Sequence, residues 1–508
     1  LEQLGFTSLV SRLYAAAKLQ QVVTKKEREP VVSPQAGLGL GEPDTTKDCG
    51  PCSFSMDFLK QALSVAVVSW ISISAAECVC VLKTSAWRVT KKDVEKNAKS
   101  FELLFKSTAE HVAFGGKLIL RLFAGASVNS AHIDFDAGIA AWVLDPGLRD
   151  PDLFDLLEAY LSVRPGNVEE AGALLLELRS ALEKALKTNK LERVFFDLEM
   201  PLIPVLAHME SAGILLEIGV LSDFSRSLQK RMDEREARIY KLAGTTFNIN
   251  SPKQLGEVLF GKLGISSDAV RKTGGGAKST RASELTKLKG VHPVVDEILA
   301  WREETKLKST YVDVLPQLVN PADGRIHTTF NQTGAITGRL SSVNPNMQNI
   351  PIRTLLGQEI RLAFVSAPGC VLLSFDYSQI ELRLAAHLSG DKHMIEAFRD
   401  NNADIHTMTA ALVNHVLPAD VTSVMRRAAK AINFGILYGM GAQSLAESLR
   451  IPRREADAFI RAYFEEFPGI KTLMEKLKAD ALEKGFVETL FGRRRYFPNM
   501  ANMGFQAR

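Results

Sequence analysis

Cysteine is scarce in this chain: five residues, Cys49, Cys52, Cys78, Cys80 and Cys370, an odd count without the spacing of a disulfide framework. A secreted, disulfide-stapled fold is excluded on that count, and a reducing, cytoplasmic compartment is expected. Long apolar runs are also missing. The longest uncharged stretch, 61–76, is Ser-rich and shorter than a membrane span. No charged-then-apolar signal opens the chain. A large excess of one charge is missing too. The formal net charge is only +4, so bulk charge names no partner, and a nucleic-acid reading must rest on local basic clusters. The first residue is Leu1, not Met, and the chain is expected to begin inside a longer protein.

What is present fits a large soluble protein. Apolar residues are 46% and charged residues 24% of 508, a length that predicts roughly two to four domains. Residues 1–20 read as a helix end, and 21–50, rich in Pro, Gly and Thr without periodicity, as a linker. Cys49-Gly-Pro-Cys52 has the form of a thioredoxin motif but follows a polar loop, not a strand, so coincidence is the better account. A zinc site from Cys49, Cys52, Cys78 and Cys80 is the alternative, with poor spacing in the second pair. Alternating Val/Ile and Ser/Ala over 61–85 predicts paired strands, and helices are expected over 152–161 and 169–186. From 191 to 317 the chain reads as mainly helical and charge-rich. It is interrupted by Arg271-Lys-Thr-Gly-Gly-Gly-Ala-Lys-Ser-Thr-Arg281, either a mobile basic loop that follows a phosphate backbone or an ordinary solvated linker.

Chemistry concentrates later in the chain. Val371-Leu-Leu-Ser-Phe-Asp-Tyr-Ser-Gln-Ile-Glu381 reads as a buried strand ending at Asp376, with a helix over 378–387. A carboxylate at a strand tip suits Mg²⁺ that keeps coordination sites for phosphates; Asp376 with Ser378 can equally be a helix cap. Over 424–438, Arg426, Lys430, Phe434 and Tyr438 recur every four residues and form a slowly winding stripe on one helix. Two cations one turn apart can clamp a triphosphate, and an aromatic ring beyond them can lie against a base. The same stripe is compatible with a solvated charged face and two core aromatics. Thr337-Gly-Arg-Leu-Ser-Ser342 and Asn344-Pro-Asn-Met-Gln-Asn-Ile-Pro351 combine amides and one Arg in a turn-rich segment. That composition suits minor-groove and sugar contacts, or simple loop chemistry. Gly492-Arg-Arg-Arg-Tyr496 fits a backbone contact to nucleic acid or a surface charge run.

At these residues the chain resembles the family A DNA polymerases. Asp376-Tyr-Ser-Gln-Ile-Glu381 is similar to the family's motif A, and 426–438 to its motif B. Thr337–Ser342 and Gln348-Asn-Ile-Pro351 resemble the primer–template segment. Lys306-Leu-Lys-Ser-Thr-Tyr311 and Phe247-Asn-Ile-Asn-Ser251 resemble thumb segments, and 492–496 the stretch before the chain re-enters the palm. They occur in family order across 195–508, which is far more specific than any one motif. The resemblance implies an α/β multidomain chain: a degenerate RNase H-like exonuclease domain followed by a right-hand polymerase of thumb, palm and fingers, the palm incomplete. The implied boundaries are 1–50 for a 5′-nuclease junction and linker, 51–190 exonuclease-like, 191–320 thumb, 321–405 first part of the palm, 406–490 fingers and 491–508 the start of the return to the palm.

Residue by residue, the resemblance implies that Asp376, with the Tyr377 carbonyl, binds the catalytic metals. Two Mg²⁺ would stabilise the attacking and leaving oxygens in attack of a primer 3′-oxygen on a dNTP. Glu381 would exclude a 2′-hydroxyl. Arg426, Lys430 and His406 would hold the triphosphate, and Gln379 would line its pocket. Phe434 would pack on the incoming base and sugar, with discrimination against dideoxynucleotides, and Tyr438 would guard the template. Primer–template DNA would meet Arg339, Gln348, Asn349, Lys306, Ser309, Thr310, Asn248, Asn250, Ser251, Lys278, Ser279 and Arg493. The family's motif C, a His-Asp-Glu, is expected beyond Arg508, so this chain by itself is expected to extend primers weakly or not at all. In the exonuclease-like part, Val65–Ile73 carries no acid where active members need Asp-x-Glu. Phe135-Asp136 and Val143-Leu-Asp-Pro146 look like that domain's later scaffold. Ala171-Gly172 stands where the last metal-binding Asp is expected, so proofreading is expected to be lost. A monomer with no membrane partner is expected. Single-subunit RNA polymerases share the logic of motifs A and B but are expected to carry a small residue where Glu381 stands. A non-catalytic DNA-binding remnant is the other alternative.

Overall fold

The structure is a computed structural model. It describes residues 52–53, 58, 61–82, 85–265, 270–271, 276, 278–352, 354–399, 404–414, 416–449, 451–498 and 500. The expected helix end and linker over 1–50, Cys49 and most of the glycine-rich stretch of the basic loop lie outside these residues. Among the described residues no helix is long and apolar enough to cross a membrane.

The first body is built on strands β1 (Cys52–Ser53), β2 (Val67–Ser74), β3 (Glu77–Leu82), β4 (Ser85–Thr90), β5 (Glu110–Phe114) and β6 (Phe135–Asp136). Their order in the sheet is β1-β4-β3-β2-β5-β6. β2, β3 and β4 form an antiparallel meander, while β5 and β6 run parallel to β2. The strands predicted within 61–85 are β2 and β3, paired Trp70 to Cys80 and Ser72 to Cys78. Alternation along β2 and β3 serves two cores, as the two-residue period of a strand requires. Val68, Trp70, Cys78 and Cys80 join Phe101, Phe105 and Phe123 on one face. Ile71 joins Phe135, Trp142, Leu178 and Leu182 on the other. Cys78 and Cys80 are fully enclosed in the first core, where burial pushes both thiols up and keeps them protonated. They are apolar packing residues there, not the thiolates a zinc site needs. The expected helices are Leu153–Leu161, capped by the Asp152 carboxylate, and Val168–Ala173 with Leu175–Asn189.

A helical pair follows. Ile218–Ala243 packs antiparallel against Pro293–Leu307, and Glu304, buried on the second helix, is held by Arg231 and Arg235 of the first, each at 2.9 Å. A buried carboxylate is tolerated only with such partners. The described residues also include five short strands: β7 (Ile214–Leu216), β8 (Arg325–Ile326), β9 (Thr329–Asn331), β10 (Ser341–Val343) and β11 (Phe364–Val365). They form the sheet β11-β7-β8 and the hairpin β9–β10. Seven helices, from Ile380–Ser389 to Pro468–Lys484, then pack round a core of Leu382, Ile405, Ile432, Ile436, Tyr463 and Phe467. β12 (Phe486–Glu488) and β13 (Arg494–Tyr496) close the described chain as a hairpin.

One expected element is corrected. Val371–Phe375 was read as a buried strand, but no described strand pairs with it, and Val371, Leu373 and Phe375 are 76%, 73% and 90% exposed. An apolar run becomes a buried strand only where neighbours take up its backbone N–H and C=O groups. The described residues supply none. The following helix starts at Ile380, two residues later than expected, after Gln379 in the left-handed region.

Candidate functional site

The helix Ser423–Leu437 carries the cationic and aromatic stripe. Thr422 caps its N-terminus through Met425 N, and Ala429, Ile432, Asn433, Gly435 and Ile436 form its buried face. That leaves Arg426 and Lys430 exposed and Phe434 half-buried along one side. Gly435 lies against the Met440 side chain, whose Sδ would stand 2.8 Å from a Cβ there and would have to shift to admit one.

The first half of the site is built round the start of the neighbouring helix Ile405–Asn414. Arg426 donates through Nε to Asp404 and remains half-exposed. Burial would raise the Asp404 carboxyl, but bonds from Arg426, Thr407 Oγ1 and His406 N hold it below the usual range. Asp404 therefore stays ionised and orients the guanidinium, leaving the outer nitrogens free for a ligand. His406 is buried and its Nδ1 lies 3.0 Å from Asn433 Nδ2. With Asn433 donating, the imidazole proton is assigned to Nε2. Burial pushes the His406 pKa down, and Arg426 and Lys430 push the same way against Asp404. The ring is thus a neutral hydrogen-bond donor beside two cations, with its centroid 5.9 Å from that of Phe434. Lys430 has no ion-pair partner among the described residues, which suits a group kept for a bound anion.

The second half lies at the other end of the same helix. Tyr438 donates to Glu381 Oε1 at 2.8 Å, and Arg339 Nη2 reaches the same oxygen at 3.2 Å. Hydrogen bonding to Glu381 raises the Tyr438 pKa, with burial adding to it. The structure thus brings together Glu381, Arg339 and Tyr438 at one end and Arg426, Lys430, His406 and Phe434 along the rest. Asp376 and Tyr377 precede Glu381 in exposed chain, and the Asp376 carboxylate has no protein partner among the described residues. Gln379 is partly buried, with Oε1 enclosed and unpaired.

The other expected residues are spread more widely. Gln348 and Asn349 are exposed; the Gln348 amide donates to the Leu340 carbonyl at 3.2 Å. Lys306, Ser309 and Thr310 are exposed at the end of the helix Pro293–Leu307. Asn248, Asn250 and Ser251 form a turn in which Ser251 caps the helix Pro252–Gly256 and Asn248 Oδ1 accepts from Asn250 N. Lys278 sits 5.6 Å above the Phe260 ring, and Ser279 is buried beside it. Arg493 lies inside: it pairs with the buried Glu199 and stacks 5.1 Å over Trp142. Sequence reasoning missed Asp404 and Asn433, which orient Arg426 and His406. The signal for Asn433 was present, an amide on the apolar face of an amphipathic helix.

No group of three or more His, Cys, Asp or Glu close enough to hold a metal occurs among the described residues. The oxygen donors of Asp376 and Tyr377 still fit Mg²⁺, which commonly takes one or two carboxylates plus substrate phosphates rather than a full protein cage.

Comparison with known proteins agrees with this geometry. The family model described as DNA polymerase family A matches residues 219–508. The chain is 46% identical over 385 residues to the thermostable DNA polymerase I of Thermus filiformis, covering 76% of this chain and 45% of that protein. It is 47% identical over 413 residues to DNA polymerase I of Pseudomonas aeruginosa, covering 76% and 45%. The chain thus spans about half the length of the curated relatives it matches. A solved structure, the POL domain of Pol1 from M. smegmatis in complex with DNA primer-template and dNTP, superposes with a TM-score of 0.80 at 32% identity. It covers 89% of this chain and 82% of that one.

Proposed function

The chain belongs to DNA polymerase family A, and on that footing we propose that it serves template-directed DNA synthesis, in which a primer 3′-hydroxyl attacks the α-phosphorus of a dNTP and displaces pyrophosphate. The observation that carries this reading is the helix Ser423–Leu437, which sets two cations and an aromatic ring along one side, beside the neutral imidazole of His406 from the helix Ile405–Asn414, and ends with Tyr438 on Glu381 of the earlier helix Ile380–Ser389.

Arg426 and Lys430 neutralise the triphosphate, Arg426 with its plane fixed by Asp404. His406 donates from Nε2 to a phosphate oxygen without adding charge. Phe434 packs on base and sugar, and Gln379 lines the pocket. Glu381, tied down from two sides, closes the space beside the sugar where a 2′-hydroxyl would lie. Tyr438 guards the template position. The Asp376 carboxylate and Tyr377 carbonyl would hold Mg²⁺, which stabilises charge on the attacking and leaving oxygens when bound. Arg339 is placed for the primer terminus. Gln348, Asn349, Lys306, Ser309, Thr310, Asn248, Asn250, Ser251, Lys278 and Ser279 remain the candidate duplex contacts, while Arg493, turned inward onto Glu199, would act on the duplex only through Gly338. The domain boundaries, a monomeric state and a cytoplasmic setting belong to the same reading.

The six-stranded sheet is read as an exonuclease-like domain without its catalysis. Its strand order supports the first half. The acid-free β2 and the crowding at Gly172, where a Cβ would lie 2.4 Å from Val81 Cγ2, support the second. Primer extension by the complete enzyme carrying Asp376→Ala tests the proposal. Extension should be abolished while primer–template affinity is kept, and undiminished extension by the variant would refute the assignment.

A further inference from the structure

Among the described strands, β9 has a neighbour on one side only. It pairs antiparallel with β10, Phe330 opposite Ser342. On its outer edge, a third strand would ordinarily take up the Phe330 N–H and C=O. Here an ion pair does so. Glu210 Oε1 accepts from Phe330 N at 2.7 Å, and Lys117 Nζ donates to the Phe330 carbonyl. Lys117 and Glu210 also pair with each other at 2.6 Å, and Arg121 reaches the second Glu210 oxygen at 2.7 Å. The Glu210 side chain is wholly buried, so both its oxygens depend on these donors.

The grip continues along the hairpin. Asp150 Oδ1 accepts from Asn331 Nδ2 at 2.7 Å and from Thr333 Oγ1 at 3.0 Å. Gln332 donates to Glu199, and Arg493, on the same carboxylate, packs against Gly338, where a Cβ would lie 2.8 Å from its Nε. The next residue is Arg339, which ends on Glu381. Lys117 and Asp150 come from the body of the six-stranded sheet, with Lys117 in the first turn of the helix Gly116–Ala124 that follows β5.

We propose that Lys117 is a positioning residue: through Phe330 it fixes the β9–β10 hairpin and so aims Arg339 at the primer terminus. The body that carries Lys117 thereby contributes to polymerisation as a brace, whatever its own catalytic state. The role at the primer rests on the function proposed above; the bracing of the hairpin does not.

The test uses the full chain with Lys117→Met, which keeps the aliphatic stem, and Lys117→Arg, which keeps a donor. Hydrogen exchange and primer–template affinity are measured for each. Lys117→Met should speed exchange in 328–343 relative to the helix Ser423–Leu437 and weaken primer–template binding on the order of 3- to 10-fold, the loss of one charge-assisted bond. Lys117→Arg should recover most of both. Asp150→Gly, at an exposed position whose left-handed backbone (φ 48°) glycine adopts freely, should reproduce the effect in weaker form if Lys117→Met does not fold. Unchanged exchange in 328–343 in both Lys117→Met and Asp150→Gly would overturn the brace. Loosened exchange with unchanged binding would overturn its role at the primer. A wild-type chain that binds no primer–template at all would sink the proposed function, while the exchange comparison would still decide the brace.

Discussion

The phenolic hydroxyl of Tyr438 donates to Glu381 Oε1 at 2.8 Å across 57 positions of sequence. The bond ties the end of the stripe-bearing helix to the first turn of the helix Ile380–Ser389, and Arg339 completes the cluster from a third segment. A carboxylate left 41% exposed but bonded from two sides is held in one place without being buried.

On the proposed reading, that fixed carboxylate serves as a sugar filter. Glu381→Ala should raise incorporation of ribonucleotides relative to deoxyribonucleotides by about 10-fold or more, because the space beside the sugar opens. Tyr438→Phe should move the ratio in the same direction by less, since Arg339 still holds Glu381. Single-nucleotide incorporation by the complete enzyme with matched dNTP and NTP checks both. Unchanged selectivity in the Glu381 variant would remove the filter.

Lys430 is exposed and has no ion-pair partner among the described residues, whereas Arg426 is oriented by Asp404. Lys430→Ala should therefore leave folding nearly untouched and weaken dNTP binding to the protein–primer–template complex by roughly 10- to 100-fold, the loss of a charged phosphate contact. Asp404→Asn should weaken dNTP binding less, through a guanidinium that is present but no longer fixed. Titration of dNTP into the complex reads both, and equal affinity in the Lys430 variant would exclude the clamp.

Much of this site was legible because it is local. The four-residue spacing of Arg426, Lys430, Phe434 and Tyr438 placed a helix over 424–438, and the structure has it over Ser423–Leu437. The meander of β2 and β3 followed from alternation in the same way. What failed was non-local. Val371-Leu-Leu-Ser-Phe375 has the composition of a buried strand, but composition does not say whether a ladder partner exists, and the described residues hold none. Lys117 and Glu210, 93 positions apart, and Arg493 and Glu199, 294 apart, leave no periodic trace. A lone Arg in a basic run reads as surface until the fold shows the carboxylate beneath it.

His111 gives the sheet body a defined acid response. Its Nδ1 accepts from Trp70 Nε1 at 3.0 Å in a fully buried setting. Burial pushes its pKa down to about 4, with His132 adding to the shift and Asp134 opposing it. Above its unfolded value of about 6.5 both states are neutral and the full stability is present. As pH falls below that, the unfolded chain takes up a proton that the native ring refuses, so stability drops by about 3 kcal/mol in total by pH 4 and then levels. Denaturant unfolding of wild type and His111→Gln from pH 7.5 to 4 checks this. The variant keeps an acceptor for Trp70 and should show a shallower slope; equal slopes would place the acid sensitivity elsewhere.

Gly172 is the sharpest packing constraint in the same body. A Cβ at this position would stand 2.4 Å from Val81 Cγ2 and 3.2 Å from Ile71 Cδ1, both on neighbouring strands. The short helix Val168–Ala173 can approach the sheet only because no side chain intervenes. Gly172→Ala gains slightly in helix propensity, yet overpacking should dominate and destabilise by roughly 1–3 kcal/mol. If the Val81 methyl is the obstacle, Val81→Ala should relieve it, so the double variant Gly172→Ala/Val81→Ala should be more stable than the sum of the single effects predicts. Strict additivity in thermal or denaturant unfolding would show that the helix simply shifts, and that the close approach of Gly172 to β3 does not constrain the fold.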